Sequence, residues 1–241
     1  INTALASSDN TTLENEVKYN FNKNNMYLNI EAAMYENLTL KTNERYEYIL
    51  PNIMFGKTFF TEKFGTVDFK TNALHNKYKI NRHRTALTND VIWKSASQTT
   101  KGGFVNSIEG MLRNTNYEAR KTGEYKDSGT VNEISGVLSY KASLPLKKDR
   151  VNFSNLFSPN FMVRYAPAHM RNLSNKDITL DYTNLYSLNK TSEIEDGLSA
   201  VLGFDFKINE KNISKEKFSI SLGQVFNLEE NKDIPSKSSL D

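Results

Sequence analysis

Between Gly197 and Leu228 apolar and polar residues alternate with a period of two, twice over, and this constrains the chain more than any other stretch. Leu198, Ala200, Leu202, Phe204 and Phe206 fall on one side of an extended backbone, and Ser199, Val201, Gly203, Asp205 and Lys207 on the other. After the polar run 208–217, Phe218, Ile220, Leu222, Phe226 and Leu228 share a face against Ser219, Ser221, Gly223, Val225 and Asn227. Successive side chains of a strand point to opposite faces, so each half reads as a strand with one apolar and one polar side. Each alternation lasts about ten residues, the length of a tilted strand crossing a bilayer. Strands of a soluble sandwich are shorter and turn their polar side outward. The hairpin therefore implies apolar side chains toward lipid and small polar ones inward, one piece of a transmembrane barrel.

The rest of the chain repeats the pattern. Val17, Tyr19 and Phe21 alternate, Asn22 to Asn25 make a turn, and Leu28, Ile30, Ala32 and Met34 alternate in return. Arg45 to Phe55 reads as a strand interrupted by Pro51, which marks a bulge or a strand end because proline cannot donate to a ladder. Phe64–Leu74 follows with Val67, Phe69 and Ala73 on one face, then Arg82 to Trp93, then a turn at Lys101-Gly102-Gly103. Phe104, Ile108 and Leu112 face away from Ser107, Glu109 and Arg113. A charged loop is expected from Arg120 to Thr130, and Leu138, Tyr140, Ala142 and Leu144 alternate after it. Phe161–Ala166 reads as a short strand ended by Pro167, and Ile178, Leu180 and Tyr182 as the start of another. The count is about eleven strands at a mean spacing of about twenty residues, wider than the sandwich range and suited to long strands with alternating short and long loops. The fold expected is all-β: a segment of an antiparallel transmembrane β-barrel. Residues 1–241 would form an internal part of a single larger outer-membrane barrel domain, since no signal peptide opens the chain and Pro-Ser-Lys-Ser-Ser-Leu-Asp closes it as a polar loop.

Composition removes several classes. Hydrophobic residues make up 38% and mean hydropathy is −0.60, and no apolar run reaches the ~18 residues of a membrane-crossing helix, although a barrel strand spends only alternate residues on lipid. The 31 basic and 28 acidic residues are interspersed, so no nucleic-acid partner is expected. Cysteine is absent, which removes disulfides and thiolate metal sites. The histidines are His75, His83 and His169, read as two surface-loop residues and one strand-end residue; His83 is flanked by Arg82 and Arg84, a poor setting for a base. No phosphate loop or paired-histidine metal motif occurs, so neither enzyme activity nor a cofactor is expected.

Glu109, Arg113, Lys141, Asp205 and Lys207 fall on polar strand faces, and Arg164 on the inner side of another strand. Such charges either handle a charged polar substrate or pair with one another, for example with Glu109 and Asp205, and only stiffen a wet wall.

The series Asn184-Leu-Tyr-Ser-Leu-Asn-Lys190, Ile194-Glu-Asp-Gly197, Gly203-Phe-Asp-Phe206, Gly223-Gln-Val-Phe226 and Ser238-Ser-Leu-Asp241, in that order, resembles the C-terminal half of the LPS-assembly protein family LptD, also called organic solvent tolerance protein. Arg164-Tyr-Ala-Pro-Ala-His-Met-Arg171 and Tyr48-Ile-Leu-Pro-Asn52 resemble it too, and the likeness is closest to alphaproteobacterial members. The resemblance implies a closed barrel in the Gram-negative outer membrane that receives lipopolysaccharide (LPS) from a periplasmic bridge protein (LptA-like) and is plugged by a lipoprotein (LptE-like). It implies contact with outer-membrane lipid and an inner face that meets the saccharide. The family's periplasmic jellyroll, disulfide cysteines and gate strands have no counterpart here, so a mid-barrel wall is expected. On the strand reading, Arg113, Lys141, Arg164 and Lys207 are the candidate inward LPS contacts, because lysine and arginine make strong but reversible contacts to phosphate. A porin or receptor barrel conducting small solutes is the rival reading. Behind it stand a barrel enzyme such as a lipid A deacylase, which would need a histidine beside a serine and an acid, and a soluble β-sandwich.

Overall fold

A computed structural model describes residues 11–41, 44–78, 82–121, 124, 129–173, 180–190, 193–211 and 215–228. The strands are β1 (Thr12–Lys23), β2 (Met26–Asn37), β3 (Tyr46–Thr61), β4 (Gly65–Tyr78), β5 (Arg82–Lys94), β6 (Gln98–Thr99), β7 (Val105–Arg120), β8 (Thr130–Ser143), β9 (Leu146–Asp149), β10 (Phe153–Ala166), β11 (Gly197–Glu210) and β12 (Lys215–Asn227). They make one antiparallel sheet in the order β1-β2-β3-β4-β5-β7-β8-β10-β11-β12, with short β6 beside β7 and β9 beside β10. Each long strand pairs with the next along the chain, so the sheet is a meander. The order begins at β1 and ends at β12 without closing among the described residues. No helix occurs among them.

By internal contacts the chain divides into two units: Ile1–Phe59, Asp68–Asp90 and Arg113–Ile134 in the first, and Phe60–Val67, Val91–Leu112 and Ser135–Asp241 in the second. In the first, β1 and β2 pair from Thr12↔Asn37 to Lys23↔Met26 across a two-residue turn. Asn24 and Asn25 both have positive φ (45° and 58°), the mirror-type turn whose twist matches the flanking strands, and asparagine tolerates that conformation. Pro51 marks a bulge, not a strand end. Glu31 pairs with Asn52 but Ala33 with Ile49, so three steps of β3 oppose two of β2. The extra residue has a visible purpose. Apart from Ile49 and Met54, the apolar side chains of β3 around Pro51 are even-numbered before it (Tyr46, Tyr48, Leu50) and odd-numbered after it (Ile53, Phe55). The bulge puts both sets on one face, with Tyr48 opposite Met34, and Ile53 and Phe55 opposite Ile30 and Leu28.

In the second unit β10 pairs with β11 along its whole length, from Phe153↔Glu210 to Ala166↔Gly197. The strand expected at Phe161–Ala166 thus starts eight positions earlier, and Pro159 lies inside it. Pro159 has no N–H, and the gap between β8 and β9 falls beside it: Leu144 N donates to Pro159 O (3.0 Å) while no proton is needed in return. β11 and β12 pair from Ser199↔Asn227 to Glu210↔Lys215, with a bulge at Ile208/Asn209. The strand expected to begin at 178–182 is not formed: Leu180 and Tyr182 lie in irregular turns, and Ile178 is outside the described residues. Most of the charged loop 120–130 also lies outside them, but β7 ends and β8 begins at its two expected limits.

Burial runs opposite to that of a soluble protein. On the apolar face Leu112, Ile134, Leu138, Leu202 and Leu222 are each more than half exposed, whereas Met162, Val201 and Ser139 on the other face are sealed. Aromatic pairs line the open face, Phe55 against Phe69 in the first unit, and Phe157 against Phe204 and Phe206 against Phe218 in the second. Exposed apolar side chains in such number need a partner that covers them, and a bilayer is the one the sequence pattern implies.

Candidate functional site

The charges of the polar face are tied from strand to strand. In the first unit Arg113 on β7 makes a two-pronged contact with Asp90 on β5, Nε to Oδ1 at 2.7 Å and Nη2 to Oδ2 at 2.8 Å. In the second, Lys141 on β8 donates to Glu109 Oε2 on β7 (2.5 Å), and Lys207 on β11 lies 3.3 Å from Glu216 Oε2 on β12. Asp205 takes neutral donors instead, Asn160 Nδ2 from β10 (2.7 Å) and Ser221 Oγ from β12 (2.6 Å). Each cation therefore has an anion in reach, but with different exposure. Lys207 and Glu216 are both about half exposed, so solvent leaves little binding energy between them and either is open to exchange. Lys141 and Arg113 are partly buried.

Arg164 has a different setting. The described part of the connection between β10 and β11 (167–173, 180–190 and 193–196) folds back over the polar face and lies on β7, β8, β10, β11 and β12 as a strap. Arg164 is 3% exposed beneath it. Its Nε donates to Leu188 O (2.5 Å) and its Nη2 to Asn189 Oδ1 (3.1 Å) and Glu195 O (2.6 Å), with the Glu195 carboxylate 3.3 Å away. The same carboxylate accepts from the backbone N–H of Lys190 (2.8 and 3.0 Å). Lys190 Nζ donates to the carbonyls of Leu185 (2.7 Å) and Ser187 (2.9 Å), closing the strap on itself. Burial pushes this amine from 10.5 down to about 8, against the pull of Glu195. Asp181, in the 180–190 stretch of the strap, is held below the ordinary carboxylate range by the hydroxyl and amide of Thr183.

Two further contacts hold the strap. Leu188 and Ile194 pack with Met111, Val137 and Ala166, a small apolar core on the face that carries the charges. Gly203 and Gly223 sit directly opposite each other and make a notch. A Cβ on Gly203 would stand 2.4 Å from Tyr186 Oη, and one on Gly223 would stand 2.9 Å from Leu185 Cδ1. Glycine is thus required by close approach here.

The histidines fall differently from expectation. His75 is inside β4, its Nδ1 2.8 Å from Thr85 Oγ1, and His83 is in β5. His169 is not a surface residue: it is 6% exposed, its Nε2 donating to Ile194 O (2.5 Å) and its Nδ1 accepting from Arg171 N (3.1 Å). Both ring nitrogens are thereby engaged in pinning the strap. The sequence reading singled out Arg164 but missed Glu195, Lys190 and the glycine notch. The available signals were two glycines on the polar faces of neighbouring strands and Leu185, Leu188 and Ile194 in an otherwise polar loop.

A meander of bilayer-length strands, with its large apolar side chains open to the surroundings and its charges on the opposite face, defines a membrane-embedded β-sheet protein of the barrel-wall type. Over residues 1–241 the chain matches the family model LptD, LPS transport system D, and it belongs to that family. No curated protein matches it. The family match carries lipopolysaccharide transport and outer-membrane assembly over the porin reading, and the family is one of transporters and not of enzymes. It acts at the outer membrane of Gram-negative bacteria, and no helix among the described residues is long and apolar enough to cross a membrane.

Proposed function

We propose that residues 1–241 form part of the wall of a single outer-membrane barrel, and that the polar face of this wall lines the path of LPS. Membership in the LPS-transport family over the whole chain carries the reading. Further support comes from the sheet, which among the described residues ends in β1 and β12 without joining them. A sheet cannot leave edge backbone groups unpaired in hydrocarbon, so other strands complete the barrel. Lys207, Lys141 and Arg113 meet the anionic saccharide by exchanging their present carboxylates for phosphate oxygens. Arg164 is reached only when the strap lifts. A plug lipoprotein (LptE-like) and a periplasmic bridge protein (LptA-like) are the partners proposed, with outer-membrane lipid on the apolar face.

Photo-crosslinking tests the route. Crosslinkers at Lys141 and Lys207 in the parent protein should trap LPS in living cells, and crosslinkers at Leu202 and Leu222 should trap membrane lipid. An assembled barrel that traps no LPS at either inward position would sink the assignment of these residues.

A further inference from the structure

A cavity of about 360 Å³ opens within the second unit, where the apolar side chains of β5, β7 and β8 reach the end of the sheet. Lys63, Phe64, Trp93, Gln98, Asn106 and Tyr140 line it. Its walls are tied independently of any ligand. Trp93 Nε1 donates to Phe64 O (2.8 Å), Tyr140 Oη donates to Asn106 Oδ1 (2.7 Å), and Ser95 N donates to Ile108 O (2.9 Å). Gly65, at φ +84°, brings the start of β4 against backbone 94–96, where a Cβ would stand 2.1 Å from Lys94 O. The Trp93 and Tyr140 rings are thus held before anything binds, which lowers the ordering cost of binding.

Three observations select the occupant. First, Ile108 and Tyr140 stand on the apolar face, so the cavity opens where the barrel reading puts lipid. Second, it lies at the end of the sheet opposite the longest connection, 167–196; long loops of these barrels face outward, so the cavity is at the periplasmic boundary. Third, its lining holds one cation, Lys63, whose amine is 5.5 Å from the Phe64 ring centroid, and no carboxylate. Tryptophan and tyrosine are the side chains that bridge headgroup and hydrocarbon. We propose that this cavity binds the phosphodiester headgroup of a phospholipid of the periplasmic leaflet, with Lys63 on the phosphate and Trp93, Phe64 and Tyr140 around the glycerol and the first acyl carbons. Such a site would set the depth of the wall in the membrane, and it stands whether or not the polar face carries LPS.

Trp93 is the only tryptophan of the chain, so it reports on the site directly. The full-length protein is placed in vesicles of phosphatidylethanolamine and phosphatidylglycerol, and Trp93 emission is taken as the difference from Trp93→Phe. Brominated-chain phosphatidylglycerol is compared with brominated-chain diacylglycerol, which has the same chains without phosphate. The phospholipid should quench at a roughly tenfold lower mole fraction, the worth of one charge-assisted hydrogen bond. Lys63→Ala should abolish that preference, Lys63→Arg should keep it, and Lys101→Ala in the neighbouring turn should leave it unchanged. Equal quenching by both lipids, unaltered by Lys63→Ala, would overturn the site as mere bulk-lipid contact. Relief of quenching by LPS, and not by unlabelled phosphatidylglycerol, would overturn it in favour of cargo.

Discussion

Glu195→Ala should unfasten the strap while leaving the sheet intact. In the native arrangement the Glu195 carboxylate faces the guanidinium of Arg164 at 3.3 Å and caps the Lys190 amide at 2.8 and 3.0 Å, and both members of the ion pair are almost wholly buried. Removing one partner of a buried pair costs about 3–5 kcal/mol, because the other charge is left uncompensated. Arg164 keeps the carbonyls of Leu188 and Glu195 and the Asn189 side chain, so the lower end applies. About 3 kcal/mol taken from strap docking multiplies its opening constant about a hundredfold. Hydrogen exchange by mass spectrometry on the assembled protein reads this directly. Amides in 185–195 should lose about two orders of magnitude of protection while those of β10 and β11 hold, since local opening costs less than global unfolding. The double variant Arg164→Met with Glu195→Gln removes both charges of the pair and should cost well under the sum of the single changes. Unchanged protection of 185–195 in Glu195→Ala would refute the clasp.

Leu202, half exposed at mid-strand, should not tolerate arginine: Leu202→Arg costs about 2–4 kcal/mol on a lipid face and should lower the yield of assembled barrel on heat-modifiability gels. Ser221→Arg, which places a cation beside Asp205, should assemble normally, and equal damage from both would reverse the two faces. Gly203→Ala should cost about 1–3 kcal/mol, because its Cβ would stand 2.3 Å from the Leu222 carbonyl, a backbone atom that cannot swing aside; a lower melting temperature of the assembled protein checks it. Lys190 makes strap docking pH-dependent. Its docked pKa of about 8 lies below the ordinary 10.5, so the open strap holds more protons between those values and docking strengthens as pH rises from 8 to 10.5. Amide protection of 185–195, corrected for intrinsic exchange, should rise across that window and stay flat in Lys190→Met.

The period-two pattern determined by itself that this chain makes strands and which side chains share a face. Those are local consequences of backbone geometry, and Leu198 to Phe206 against Ser199 to Lys207 carries them without help from any distant residue. That the apolar face is the open one took the structure, where Leu202 and Leu222 are exposed and Val201 is sealed. The sequence also placed a turn within Asn22 to Asn25, which the structure narrows to Asn24 and Asn25, and limited the role of Pro51 to two choices. Deciding between those choices took the partner strand, because a bulge is defined by the register of Ala33 and Glu31 opposite it. The extension of β10 past Pro159 was hidden for the same reason: that proline is harmless only because the neighbouring ladder breaks at Leu144. The strap was decided by tertiary structure alone. Leu180 and Tyr182 look like a strand start, yet 180–190 coils over the polar face, because Arg164 offers buried donors there and the Gly203–Gly223 notch offers room. Side-chain alternation records which way a residue points, and it holds no information on which distant segment comes to cover it. Arg164 was therefore legible as inward-facing, while its burial under Glu195 was not.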